Sequence, residues 1–343
     1  PRPDPSADDR SQKSTLGHVA KRAGVSPSTV SRILNGTAKV SIAKQAAVEE
    51  AIAALNFRPN PAARTLAGGK TMSVGVLTQF IDSPFYGEAL RGIEDVLRDN
   101  HYVPLFVSGH WKVNEEEERL TLLQERKVDG IIVLTGKLSD QVLADMARQL
   151  PVVVTGRRMV SPNSHGIVFD DFRGAKLAVR HLIGLGHQRI AFISGPLDHF
   201  DAAQRLEGYK DELHSQGLVF DPDLVVESDF QESGGYQSMN TLLASRISFS
   251  GVFTANDQMA YGARLALSRA GFRVPEDISL VGFDDLPHSA FTLPPLTSVR
   301  QQVYQIGAMA ANAMMALIKG EPISPSLVES ELVVRESTRR ALR

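Results

Sequence analysis

The chain has 343 residues, of which 43% are hydrophobic, 22% charged and 6% aromatic, with a formal net charge of −2. These proportions exclude a disordered or collagen-like polymer and leave room for about two to three domains. Cysteine is absent, which excludes disulfides, thiolate metal sites and a cysteine nucleophile. No apolar run approaches the ~18 residues of a membrane span, and the polar start Pro1-Arg2-Pro3-Asp4 has no apolar signal core. A cytoplasmic protein without a membrane partner is therefore expected.

Charge divides the chain before any motif does. Residues 14–70 carry Lys21, Arg22, Arg32, Lys39, Lys44, Arg58, Arg64 and Lys70 against only Glu49 and Glu50. Residues 1–13 balance and are expected to be a disordered tail, so residues 71–343 hold the acidic surplus. A small basic module on a larger acidic one suggests that the first part meets a polyanion.

Three short helices are predicted over 15–57. Leu16, Val19, Ala20 and Ala23 recur at helical spacing until Gly24 breaks the pattern. Ser26-Pro27 restarts it as N-cap and first helical residue. Val30, Ile33 and Leu34 then face inward, while Ser28 and Arg32 point away. A third helix starts at a Ser41 cap and buries Val48, Ile52 and Leu55. Two helices about a tight glycine turn, the second showing short polar residues and one arginine, make a helix-turn-helix suited to the major groove. Next, Asn60-Pro61-Ala62-Ala63-Arg64-Thr65-Leu66-Ala67-Gly68 encodes one helix too short to stand alone in water. Beside Arg64, Leu66 is placed to wedge between base pairs from the minor groove.

From Ser73 onward, apolar strand candidates at 73–80, 103–108, 130–134, 151–156, 189–195, 224–228, 251–256 and 279–283 alternate with helices. The helices are expected near 87–99, 115–126, 139–148, 171–185, 201–216, 233–245 and 257–270. Continuous apolar strands bracketed by helices require parallel sheets covered on both faces. So many units point to two lobes.

Val19-Ala20, Ala23-Gly24-Val25-Ser26, Thr29-Val30-Ser31-Arg32-Ile33-Leu34-Asn35-Gly36, Leu55-Asn56-Phe57-Arg58-Pro59-Asn60 and Leu66-Ala67 together resemble the LacI/GalR family of bacterial transcription regulators. The resemblance implies an α/β two-lobe core like the type I periplasmic binding proteins, carrying an N-terminal all-α helix-turn-helix DNA-binding domain. It divides the chain into a DNA-binding domain at 14–59, a hinge helix and linker at 60–70, and an effector-binding and dimerisation domain at 71–343. Within the last, the N-lobe would span about 71–170 and 299–327, and the C-lobe about 171–298 and 328–343. Arg32, Pro27 and Ser28 would face bases, while Thr15, Ser26, Thr29, Asn35, Lys39 and Asn60 would hold phosphates. Ala63 and Leu66 join this DNA-facing set from the hinge, on a pseudo-palindromic double-stranded operator. Gln45 stands where an arginine is common, and Pro27-Ser28 has little hydrogen-bonding power, so Arg32 and DNA shape would carry more of the specificity.

Ligands of open α/β sheets sit beyond the C-terminal ends of strands. The resemblance maps effector contacts onto Phe85, Tyr86, Arg205, Phe230, Asn256 and Asp284. Trp111 could stack on a sugar or pack at a lid. Gly156 replaces an aspartate common in relatives, leaving Arg157 to line the cleft or lie at the surface; with Arg205 it would suit an acidic or phosphorylated sugar. The expected function is a repressor whose operator affinity is set by a small effector, most simply a sugar or sugar derivative. A purine or a partner protein is the alternative regulator, and a solute-binding protein of a sugar transporter is the alternative from another class. A homodimer is expected, with no C-terminal heptad for a tetramer. No cofactor, metal or catalytic residue is expected: Gly184-Leu185-Gly186 reads as a helix-ending turn, His181 and His187 lack metal spacing, and Glu115 to Glu118 read as a solvated helix start.

Overall fold

The computed structural model describes residues 14–34, 40–57, 69–159, 161–323 and 329–341, in two compact units that part between Thr71 and Met72. The expected tail 1–13 and most of the expected hinge lie outside the described residues, and so do Asn35, Lys39, Asn60, Ala63 and Leu66.

The first unit contains α1 (Leu16–Ala23), α2 (Pro27–Leu34) and α3 (Ile42–Ala54). Gly24 ends α1 in the left-handed region at φ 65°, and its N–H bonds back to the Ala20 carbonyl. Only glycine adopts that conformation without a side-chain penalty, so the turn between α1 and α2 depends on it. Val19, Ala20, Val30, Val48, Ala51 and Phe57 form the buried core, with Leu16, Ile33, Leu34, Ile52 and Leu55 packed around it. Ile52 and Leu55 are thus only half-buried, because Ala51 takes the inner position on α3. Ser41 occupies the N-cap position of α3, but its side chain makes no cap bond.

In the second unit the order runs β1 (Ser73–Thr78), α4 (Pro84–Asp99), β2 (Val103–Ser108), α5 (Val113–Glu125), β3 (Ile131–Leu134), α6 (Asp140–Ala147), β4 (Val152–Thr155) and β5 (Ser164–Ile167). It continues with α7 (Asp171–Gly184), β6 (Ile190–Ser194), α8 (Phe200–Ser215), β7 (Val225–Glu227), α9 (Glu232–Ala244), β8 (Gly251–Thr254) and α10 (Asp257–Arg269). The last elements are β9 (Ser279–Asp284), β10 (Thr297–Arg300), α11 (Val303–Lys319) and β11 (Glu331–Val333). One sheet has the order β2-β1-β3-β4-β5, the other β11-β10-β9-β8-β6-β7. All pairings are parallel except β10 with β11. Strands β3, β4, β6, β8 and β9 are buried along their whole length. This is the consequence of covering a parallel sheet with helices on both faces.

The chain passes between the lobes three times. The first passage lies between Ile167 and Asp171. The second falls later than the position near 298, because β10 stays paired with β9 as far as Arg300. Beyond it, α11 returns to the first lobe, where Ala310, Ala311, Met314 and Met315 pack with Ile93, Leu97, Ile132 and Val153. The third passage follows Lys319 and precedes β11.

The sequence reading marks no helix over 303–319 and no strands at β5, β10 and β11. α11 is rich in alanine and methionine and is apolar on most of its circumference. Its backbone approaches α4 closely. A Cβ added at Gly307 would clash with the Ala89 carbonyl, and one at Gly92 with the Tyr304 carbonyl. Gly307→Val should therefore cost about 3 kcal/mol of core stability, read as a lower midpoint in urea denaturation followed by circular dichroism.

Candidate functional site

The basic unit presents a polar face built on its helix starts. Thr15 caps α1, its hydroxyl accepting from the His18 N–H while the His18 ring accepts from the Thr15 N–H. Ser26 caps α2, taking the Thr29 N–H at 3.2 Å and sharing hydroxyl hydrogen bonds with Ser28 at 2.9 Å and Thr29 at 2.8 Å. Ser26, Pro27, Ser28 and Arg32 lie at the surface, with Thr29 half-buried. None of the three helices carries an acid in its first turn, so their positive ends remain open to a phosphate.

In the second unit the loops after β1, β2, β7, β8 and β9 converge on one cleft. It is lined by Phe80, Ser83, Phe85, Tyr86, Trp111, Asp201, Arg205, Asp229, Phe230, Gln231, Asn256, Gln258 and Asp284. Seven of the eight positions expected from the sequence meet there: Phe85, Tyr86, Trp111, Arg205, Phe230, Asn256 and Asp284. Phe80, Ser83, Asp201, Asp229, Gln231 and Gln258 were not anticipated. Asp201 stands one helical turn before Arg205 and shares its face, while Ser83 and Gln258 sit in loops or first turns beyond strand ends.

Arg205 is the best-anchored of these side chains. Its Nε and Nη2 donate to Asp171 Oδ1 at 2.9 and 2.8 Å, and its Nη1 donates to the Ala255 carbonyl. Its guanidinium lies 3.9 Å from the centre of the Phe283 ring. Gln301 also donates to Asp171, at 3.0 Å. Arg205 and Asp171 are each only 3% exposed, and burial pushes the Asp171 carboxyl up to about 6 against the pull of Arg205. Asp171 stands at the first interlobe passage and Gln301 in the second, so the floor of the cavity is tied to the hinge.

Other lining groups are fixed from behind. Asn256 caps α10, accepting from Met259 N–H and donating to the Phe230 carbonyl, both at 2.9 Å. Tyr86 shares a hydrogen bond with Thr135 at 3.0 Å. Asp257 accepts from Ser298, Ser289 and the Leu286 N–H, pinning the segment that follows β9. Asp284 is buried with Oδ1 unpartnered. Burial pushes its carboxyl well above the usual range, which Arg205 only partly offsets.

Several strained residues gather here. Trp111 (φ 56°), Phe230 (φ 65°) and Asp284 (φ 103°) are all in the positive-φ region without being glycine. Such conformations cost on the order of 1–3 kcal/mol each and persist where surrounding structure holds them. Across the cleft, Trp111 stacks on His199 with centroids 3.9 Å apart. Lys137 Nζ donates to Asp198 Oδ2 at 2.6 Å, and Ser83 Oγ to Gln258 Oε1 at 3.4 Å. The two lobes therefore already touch around the cavity.

Two expectations are corrected. Arg157 does not line the cleft: its guanidinium donates to the carbonyls of Leu138 and Gly136 and meets Asp140 at 3.3 Å. It braces the loop after β3, so only one arginine faces the cavity and the pairing suited to an acidic sugar is absent. Glu116 is fully buried rather than solvated, because its carboxylate accepts the N–H groups of Lys137 and Leu138. His187 is a structural bridge, its ring bonded to Ser250, Ser279 and the Arg339 carbonyl. Gly184-Leu185-Gly186 does end α7, with Gly186 at φ 92°.

Comparison with known proteins follows the same division. Residues 15–60 match the model of the bacterial regulatory proteins of the lacI family, and residues 179–338 that of the periplasmic binding protein-like domain. The HTH-type transcriptional repressor PurR of Pasteurella multocida is 34% identical, over 96% of this chain and 99% of its own length. The crystal structure of the Lac repressor dimer bound to operator and the anti-inducer ONPF superposes with a TM-score of 0.85. It shares 30% identity, over 96% of this chain and 100% of that one. A complex of the transcriptional regulator CelR with cellobiose gives 0.70 at 33% identity, over 94% and 99% of the two chains.

Removing one partner of a buried ion pair leaves the other charge uncompensated. Arg205→Ala should lower core stability by about 3–5 kcal/mol, measurable as a shift of the urea midpoint at neutral pH.

Proposed function

The chain belongs to the LacI family and is a DNA-binding transcriptional repressor of that family, with a core for a small effector; on this premise we propose that the effector is a sugar or sugar derivative held in the interlobe cavity. The observation that carries this reading is the meeting of aromatic faces with hydrogen-bonding carboxylates in one cleft. Phe85, Trp111 and Phe230 offer flat apolar surface for the C–H face of a ring, while Asp201, Asp229 and Asp284 can accept from hydroxyls. The cellobiose complex of a related regulator supports a carbohydrate. A purine would use the same aromatic faces but has few donors to set against three carboxylates.

On the DNA side, Arg32 reads base edges in the major groove and Ser26, Thr29 and Thr15 sit against the backbone, with Pro27 and Ser28 beside the bases. Two copies meet two half-sites. The operator-bound relative is a dimer, and a self-pairing surface is supported by Phe291 and Leu293, 86% and 89% exposed after β9. Effector occupancy changes the lobe angle through the contacts Ser83–Gln258, Lys137–Asp198 and Trp111–His199. Residues 60–70, which join the two units in sequence, carry that change to the DNA-binding unit. The coupling expected of such a device is about 1–3 kcal/mol, or ~5–150-fold in operator affinity. No catalytic role is assigned, and the repressor acts in the cytoplasm, where its operator is.

Two substitutions separate the sites. Arg32→Ala should weaken binding to an operator selected from random duplexes by about 1–3 kcal/mol at fixed salt and relax preference at one base pair per half-site. Fluorescence anisotropy with the selected duplex and its single-base variants reads both effects. Asp284→Ala should keep operator affinity but abolish the response to free sugars. A variant with an unchanged dose response would remove Asp284 from the effector site.

A further inference from the structure

Resting on the reading of the cleft as a sugar site, we propose that it selects by charge: the effector is an uncharged or cationic molecule rich in hydrogen-bond donors, and an anionic derivative of the same sugar is rejected. Four charged side chains border the cavity, the carboxylates of Asp201, Asp229 and Asp284 and the guanidinium of Arg205. The guanidinium is already committed to Asp171 and to the Ala255 carbonyl, with its face on Phe283. It balances the buried Asp171 and has no charge left for a ligand.

Three of the neutral side chains are committed as well. Asn256 Nδ2 donates to the Phe230 carbonyl, Gln258 Nε2 to Glu232 at 3.1 Å, and the Tyr86 hydroxyl is paired with Thr135. Among the charged groups, what the lining leaves without a cation is acceptors. Asp284, 4% exposed, has Oδ1 buried without a partner, a position that a ligand hydroxyl or ammonium would satisfy. Asp201 and Asp229 each give one oxygen to a local N–H, of Ala202 and Gln231, and retain the other. Lys137 and Lys112 are also paired, with Asp198 and with Glu115. A phosphate or carboxylate placed here would face the carboxylates of Asp201 and Asp229 with no uncommitted cation opposite them, at short range. Asp284 is held above the usual carboxylate range by burial, with Asp257, Asp171 and Asp201 adding to the effect, in keeping with a shortage of positive charge.

Trp111 is the only tryptophan of the chain and lines the cavity, so its emission tests the proposal in the full-length protein. The emission is quenched by caesium and by iodide at matched low ionic strength, each normalised to free N-acetyltryptophanamide. The expected caesium-to-iodide ratio is at least about threefold above that of the free amide, and it falls toward the free value in Asp201→Asn/Asp229→Asn. A ratio at or below the free value overturns the proposal whether or not any sugar binds. The same emission is then titrated with glucose and ribose and with glucose 6-phosphate and ribose 5-phosphate. Each ester should bind at least ~10-fold more weakly than its parent; an ester that binds as well or better overturns the proposal while leaving the sugar reading intact. Silence from all four would count against the sugar reading alone, and the quenching ratio then decides the charge inference.

Discussion

A guanidinium cannot be buried without a partner, and the pairing of Arg205 with Asp171 organises the core around that requirement. Asp171 opens the first helix after the chain has crossed between lobes. Gln301, which shares the same carboxylate oxygen, lies on the second crossing. The Ala255 carbonyl, at the end of β8, takes the remaining arm of Arg205. The cleft floor and two interlobe passages are therefore one hydrogen-bonded unit. A ligand that engages this floor meets the segments that connect the lobes, with no long relay between them.

Around that pair the cleft is preorganised from behind its own surface. The lining side chains take their positions from partners outside the cavity: Asn256 from the first turn of α10, Tyr86 from Thr135, and the segment after Asp284 from the buried carboxylate of Asp257. Three lining residues hold backbone conformations that non-glycine residues rarely adopt. Strain of this kind is tolerated where it aims a side chain, here at the ends of three different strands. The helix-turn-helix unit has the opposite character. Thr15 and Ser26 cap its first two helices, and its surface keeps acids away from the first turns, as a polyanion partner requires.

The helix-turn-helix was legible because its signals are local. Gly24 is needed at its positive φ, and the Ser26-Pro27 start acts within four residues. The parallel sheets were legible for a similar reason, since unbroken apolar strands between helices have few other solutions. The family resemblance, with the rule that ligands sit beyond strand ends, placed eight residues at the cleft, and seven of them line it. Arg157 escaped it because a nearby carbonyl pair captured the guanidinium, and a sequence does not say which of two acceptors is within reach. Glu116 looked solvated among its acidic neighbours, yet the loop bearing Lys137 and Leu138 folds over it.

What the amino-acid sequence determined by itself was therefore periodicity and punctuation: which segments are helix or buried strand, where the basic module ends, and which kinds of side chain stand at strand ends. Those properties depend on neighbours within a turn or two of the backbone. The tertiary structure alone decided the pairings, namely Arg205 with Asp171, Trp111 over His199 and α11 against α4. Such contacts join residues far apart in the chain, and their existence depends on how the elements pack rather than on any local preference.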